Sequence, residues 1–254
     1  MLSHSQRGKL GSEILWKKYN SNEVFRNKML KKWKEKRIIN YERSEKFFPK
    51  LTEHEIDIFK SRLCGFLAAD GSVIIRKEAG TNRFHYDVQF YPDHYTLVKL
   101  YEEAFKAVYG KELNIKQKHN FFFVRASSKF AAQNLASLAN FNSKNWTIPK
   151  FLKTKELKKV WLKAYFDCDG YVCKNYVQVQ SVNKTGLEKM KKVLYEFGIK
   201  SKIYSYRRQQ TAWSTNYLLN IPRKNEMLKF MLEIGFDHPL KCAKLKEFTN
   251  LFLG

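Results

Sequence analysis

LCGFLAADGSV, running from Leu63 to Val73, and LKAYFDCDGYV, running from Leu162 to Val172, are two versions of one stretch, with Asp70 and Asp169 at the same place 99 residues apart. In each, apolar and small residues at helical spacing lead into Asp-Gly. Gly65 and Ala69 are four apart and share a helix face, as do Ala164 and Cys168. Small side chains at that spacing let two helices approach closely. If these two helices pack on each other, both carboxylates emerge side by side at one edge of the contact. Two crowded carboxylates resist joint ionisation unless a cation neutralises them, and carboxylate oxygens suit Mg²⁺. A lone Asp-Gly is an ordinary turn signal. An acid at a helix C-terminus opposes the macrodipole, however, and two copies in register favour a functional role.

Working outward, the chain repeats itself. The pattern predicts a helix over Glu53–Ala69 with Thr52 as N-cap, then a turn at Asp70-Gly71. Arg83–Tyr91 alternates as a half-buried strand, with Phe84, Tyr86, Val88 and Phe90 inward and Arg83, His85, Asp87, Gln89 and Tyr91 outward. A helix over Asp93–Val108 stops at Tyr109-Gly110. A strand pair follows at Leu113–Lys118 and Phe121–Ala126, then a helix over Lys129–Phe141. After Trp146-Thr-Ile-Pro149 the order begins again. Glu156–Cys168 is read as a helix, Tyr176–Ser181 as a strand, Thr185–Phe197 as a helix, Ile199–Arg208 and Thr211–Ile221 as a strand pair, and Asn225–Ile234 as a closing helix. The order is read as helix-strand-strand-helix-strand-strand-helix, twice, an internal duplication, with no bounds assigned to the first strand of either unit.

Composition narrows the partners. The 254 residues hold 48 Lys+Arg against 24 Asp+Glu, a net charge of +24, which points to a polyanion. With 44% hydrophobic and 15% aromatic residues there is ample material for a core, which excludes a wholly disordered chain. A membrane partner is set aside: mean hydropathy is −0.53, and no apolar run approaches the roughly 18 residues of a spanning helix. The N-terminus lacks the apolar centre of a secretory signal, and the four cysteines form no CxxC pair, so a reducing compartment, cytoplasm or organelle matrix, is expected. The six histidines make no cluster with zinc spacing. Residues 1–50 carry 14 Lys+Arg and 5 Glu, and a basic amphipathic helix is read over Glu23–Ile39.

Both quoted stretches resemble the signature of the LAGLIDADG homing endonucleases, in the single-chain, double-motif form. The resemblance covers residues 51–254. It implies an α+β fold of two pseudo-symmetric αββαββα units, 51–150 and 151–254, each presenting an antiparallel sheet to DNA, behind a basic helical extension at 1–50. By the same resemblance Asp70 and Asp169, with the adjoining Gly71 and Gly170, hold catalytic Mg²⁺ or Mn²⁺. The enzyme then hydrolyses one phosphodiester per strand across the minor groove. Lys241, in HPLKCAK, matches an assisting basic residue. The first unit has Trp146 at the corresponding place, so Lys144 or Lys150 would have to serve there. Ala68 replaces an earlier acid of the motif, which Asp167 supplies in the second copy. Ser181 fits a polar residue that often ends the second strand, and Tyr91 fits it less well.

The polar strand faces supply the expected DNA contacts: Arg83, His85, Gln89, Lys116 and Lys118 in the first unit, Gln178, Gln180, Lys202, Tyr204, Tyr206 and Arg208 in the second. The expected partner is double-stranded DNA with a long, partly asymmetric site, bound by a monomer with internal pseudo-twofold symmetry. The competing reading is an RNA maturase, with RNA as partner, or a DNA-binding regulator, either using the same scaffold without cutting. A nuclease embedded in an intein is a third possibility; the initial Met and the end at Asn250–Gly254, without a recognised splice junction, favour a free-standing or intron-encoded enzyme.

Overall fold

In the computed structural model the described residues are 4–32, 35, 51–206, 215–222 and 224–250. The chain divides into Met1–Pro49 and Lys50–Gly254. In the first of these, helix α1 spans His4–Ser21 and a second helix, α2, runs over 23–32. The Glu23–Ile39 reading meets α2, where Phe25, Arg26 and Met29 are half-buried and the other residues exposed, while 33, 34 and 36–39 lie outside the described residues. α1 was not anticipated.

Lys50–Gly254 opens with α3 (Glu53–Asp70), started by a reciprocal cap: Thr52 Oγ1 accepts from Glu55 N at 3.3 Å, and Glu55 Oε2 accepts from Thr52 N at 2.8 Å. There follow β1 (Gly71–Lys77), β2 (Phe84–Phe90), α4 (Tyr95–Tyr109), β3 (Asn114–Gln117), β4 (Phe122–Ser127) and α5 (Lys129–Leu138). Gly110 ends α4 in the left-handed region at φ 59°, as its place after Tyr109 predicts. The second round is α6 (Lys155–Asp169), β5 (Tyr171–Cys173), β6 (Tyr176–Ser181), α7 (Lys184–Glu196), β7 (Lys202–Tyr206), β8 (Asn216–Pro222) and α8 (Lys224–Glu233). The twofold αββαββα order read from the sequence is therefore present. A further helix, α9 (Pro239–Asn250), extends beyond it.

Each round builds one four-stranded antiparallel sheet, ordered β1-β2-β4-β3 and β5-β6-β8-β7. Alternation sets the inward face: Val88, Phe90, Val124 and Ala126 in the first sheet, Val177, Val179, Leu219 and Ile221 in the second, are all buried. The rings of Phe66, Phe90, Tyr101 and Phe105 pack together in the first core, and those of Phe166, Phe230 and Phe236 in the second. No helix among the described residues is long and apolar enough to cross a membrane.

The structure corrects three readings. Asp70-Gly71 is not a turn: α3 passes directly into β1 through extended backbone at Gly71. Glycine is required there by space, since a Cβ would lie 2.6 Å from a Leu67 methyl and 2.9 Å from Gln89 O. Phe84 is 51% exposed rather than inward, because β4 pairs with β2 only from Asp87 onward and leaves the start of β2 uncovered. Asp87, read as an outward polar contact, is 6% exposed; Arg125 donates to it through Nε (3.0 Å) and Nη2 (2.8 Å), and Ser127 Oγ donates at 2.6 Å.

Candidate nucleic-acid and metal site

α3 and α6 are the two helices that the quoted stretches form, and they pack at the distance their small residues permit. A Cβ on Gly65 would sit 2.5 Å from Trp161 O and 2.7 Å from the Ala164 Cβ. Gly65 and Ala164 are 99 residues apart, like the two aspartates, so the small residue of each motif faces that of the other. One turn earlier, Ser61 Oγ donates to Leu157 O at 2.5 Å, bonding the buried faces together.

Asp70 and Asp169 end these helices as expected, and each feels the other. Burial first, then repulsion from Asp70, lifts the Asp169 carboxyl to about 7. Burial lifts Asp70 to about 6; Lys241 opposes the rise, and Asp93 adds to it. Their supports differ. The Tyr165 hydroxyl bonds to both Asp169 and Ser181. Ser181 Oγ already accepts from Trp146 Nε1 and Asn183 N, both at 3.1 Å, so its proton is free for Tyr165 and the Tyr165 proton for Asp169. At the place of Tyr165 the first motif has Phe66, without a hydroxyl, and Asp70 is bonded instead by the Cys168 thiol. Gly71 and Gly170 both follow an aspartate into a strand, Gly170 so tightly that a Cβ would overlap Phe166 O.

Lys241 reaches this centre from α9. Its ammonium donates to Asp167 O (2.7 Å) and Cys168 O (2.6 Å), capping α6, and lowers the pKa of both Asp70 and Asp169. α9 is held there by Asp167, whose Oδ1 accepts from Asp237 N (2.8 Å) and His238 N (2.9 Å) while its Oδ2 is buried without a partner among the described residues. Burial raises the Asp167 carboxyl to about 7. His238 Nε2 lies 3.3 Å from Asp93 Oδ1, tying α9 to the connection before α4. Lys144 and Lys150 are exposed and neither acts on Asp70, whereas Trp146 is buried against Trp161 and Tyr165 of α6. One lysine thus serves both carboxylates. Asp93, Tyr165 and His238 escaped sequence reading because no local pattern marks them.

The outward sheet faces form rows across the strands. In the first sheet Ser72, Gln89, Arg125 and Asn114 line up; in the second, Tyr171, Gln178, Asn220 and Lys202. Arg125 and Asn220 were missed, although Arg125 alternates with buried Val124 and Ala126. The Asn220 Oδ1 has no partner among the described residues. Gln180 and Tyr204 flank Leu218 in the next row, with Tyr206 opposite Asn216. Lys116 pairs with Phe123 on the same face as Arg125, and Lys118 lies in the β3–β4 turn. His85 sits 3.9 Å from Glu78, Arg83 precedes β2, and Arg208 lies outside the described residues. Tyr91 donates to Gln89 Oε1.

Carboxylate oxygens whose ionisation is suppressed by burial and mutual repulsion are a donor set suited to a hard divalent cation. Asp70 and Asp169 fit that description. No cluster of three or more His, Cys, Asp or Glu suited to a metal occurs among the described residues. Two acids would therefore need further oxygens, which phosphates could supply.

Residues 156–235 match the LAGLIDADG-like domain family. A probable translation initiation factor IF-2 of Methanocaldococcus jannaschii is 33% identical over 143 residues, which are 52% of this chain and 12% of that protein. A replication factor C small subunit of Thermococcus kodakarensis is 37% identical over 84 residues, 33% of this chain and 9% of that protein. The chain thus spans about a tenth of the length of these curated relatives. The homing endonuclease I-DmoI in complex with DNA and Mn superposes with a TM-score of 0.58 at 19% identity, covering 70% of this chain and 97% of that one. Its complex with DNA and Ca gives 0.59 at 20%, covering 76% and 98%. Full-length DUF199/WhiA from Thermatoga maritima gives 0.52 at 14%, covering 80% and 63%.

Proposed function

We propose that this chain, a two-motif LAGLIDADG protein that binds DNA, is a site-specific endonuclease that hydrolyses one phosphodiester in each strand of a duplex. The observation that carries the reading is the pair of half-buried aspartates, Asp70 and Asp169, brought together by packed motif helices and holding protons to about pH 6 and 7. A protein that only gripped DNA would gain nothing from two mutually repelling carboxylates. The fold shared with I-DmoI bound to DNA and Mn supports the same reading.

Asp70 and Asp169 would hold Mg²⁺ or Mn²⁺, with Gly71 and Gly170 allowing the backbone to approach. The bound ion would lower the pKa of water and stabilise charge on the scissile phosphate. The chain's own groups do the rest. Tyr165, fixed by Ser181, orients Asp169. Lys241 holds a positive charge beside both carboxylates, where a phosphate oxygen would gain from it. The two sheet rows grip the DNA, and their unlike chemistry, Ser-Gln-Arg-Asn against Tyr-Gln-Asn-Lys, suits an asymmetric site. That stretches of this chain match relatives of different function, each over about a tenth of the relative's length, supports a module carried among unrelated genes.

A second reading, RNA maturase or DNA-binding regulator without cutting, is favoured by Lys241: its ammonium already compensates both carboxylates. The test incubates the protein with a large library of duplexes and Mg²⁺ and sequences the cut ends, with Asp70→Asn/Asp169→Asn alongside. Cutting at one long site by the wild type alone is expected. Binding that persists in EDTA with no cutting would establish the second reading instead.

A further inference from the structure

Because the two units share a fold, a surface difference between them is not one the fold demands. α4 and α7 bury the same five positions, 89 residues apart: Leu97, Val98, Tyr101, Ala104 and Phe105 in the first, Gly186, Leu187, Met190, Val193 and Leu194 in the second. The exposed residues between them differ in sign. Glu102 and Glu103 of α4 correspond to Lys191 and Lys192 of α7. Glu103 lies 3.7 Å from Arg62, whereas no ion pair engages Lys191 or Lys192 among the described residues.

Between α7 and the edge strand β7 runs a groove of about 1170 Å³, lined by Lys184, Lys189, Lys191, Lys192, Lys200 and Lys202. Two acids share its wall, and both are engaged: Glu188 lies 3.7 Å from Lys184, and Glu226 accepts from Lys200 N and Lys229 Nζ. The Ser201 hydroxyl is buried in the wall without a partner among the described residues, and Tyr195 adds an aromatic ring that is 69% exposed. Six ammonium groups against two acids that are already engaged raise the local potential, and a polyanion relieves it.

The position of the groove selects the anion. β5 follows the motif helix directly and forms one edge of the second sheet, while β7 forms the opposite edge, farthest from β5. Lys202 ends the outward row Tyr171–Gln178–Asn220–Lys202 and also lines the groove, so reading face and groove are continuous. We propose that the groove carries the phosphate backbone of the bound duplex where it runs past the outer edge of the second sheet. At the two positions that Lys191 and Lys192 occupy in α7, α4 bears Glu102 and Glu103, so the footprint extends on one side only. This rests on the DNA-binding part of the reading above and not on cutting.

The test measures binding in EDTA, so a protein that never cuts is still tested. The probe is the duplex recovered by the library selection, by binding if not by cleavage. It is made short, or lengthened by about one helical turn on either side. Lys191→Glu/Lys192→Glu gives α7 the acids of α4, and Lys191→Gln/Lys192→Gln removes the charge alone. The wild type is expected to gain about tenfold in affinity on lengthening one side only. Both variants should lose that gain, bind the short duplex like the wild type, and show a salt slope on the long duplex shallower by about 2. Equal gains on both sides, no gain on either, or variants indistinguishable from the wild type would overturn the proposal. So would an RNA oligonucleotide that binds the wild type but not the variants while leaving the long duplex unaffected, which would assign the groove to a separate RNA.

Discussion

Asp70 and Asp169 hold protons that the unfolded chain releases near pH 4, because burial and repulsion raise them to about 6 and 7, and Asp167 behaves likewise at about 7. A raised carboxylate contributes stability that is fully present below its unfolded pKa and is lost as pH rises through its folded value. The metal-free protein should therefore lose on the order of 1–3 kcal/mol per group between about pH 4 and pH 8. Mg²⁺ should raise the melting temperature strongly at pH 8 and hardly at pH 5, and Asp70→Asn/Asp169→Asn should melt higher than the wild type at pH 8 without metal. A melting temperature independent of pH over that window would refute the buried pair. Asp167 acts differently, through its grip on two backbone N–H groups ahead of α9. Asp167→Ala should cost about 2–3 kcal/mol and slow cutting, because Lys241 loses its anchorage. Asp167→Asn, which keeps an accepting oxygen, should recover most of both; thermal melts and single-turnover rates together report this.

At the scale of elements, the α3–α6 contact is the joint on which the site depends. Gly65→Val would force branched bulk against Trp161 O and the Ala164 Cβ, and overpacking of this kind costs about 1–3 kcal/mol or more. The variant should melt lower and cut more slowly even at saturating metal, since the helix ends that carry the carboxylates are pushed apart. Unchanged cutting would mean that the helix spacing does not set the site. This joint was legible in the sequence, because small residues at four-residue spacing and an acid at the same place in two copies are local patterns. So were most of the helices and strands. β1 escaped because GSVIIRK runs through three apolar residues without alternation, on a strand that is only half covered. α9 escaped because Pro239 reads as a break and its lysines alternate with Cys242, Ala243 and Leu245 without a strong apolar stripe. The contacts that complete the centre, Cys168 to Asp70 and Asp167 to residues 237 and 238, join positions about 70 or more apart, and only the fold brings them together.

For the whole molecule, duplication supplies symmetry and divergence supplies direction. The two sheets share topology and differ in their outward rows, Arg125 and Asn114 standing where the other has Asn220 and Lys202. A cleaved target should therefore consist of two unlike half-sites, and Arg125→Ala should relax the requirement for particular bases in one half alone. Sequencing of selected targets decides this, and a perfect palindrome would contradict it. The buried Trp146, packed on Trp161 and Tyr165 and bonded to Ser181, has a consequence for dissecting the chain. Although it precedes α6 and follows the first αββαββα run, it packs on α6 of the second. The loop at 142–145 just before it is exposed. Fragments divided within that loop should reassemble when mixed, each bringing its own interior. Fragments divided a few residues later would strand an indole on the wrong piece and leave a hole in the other.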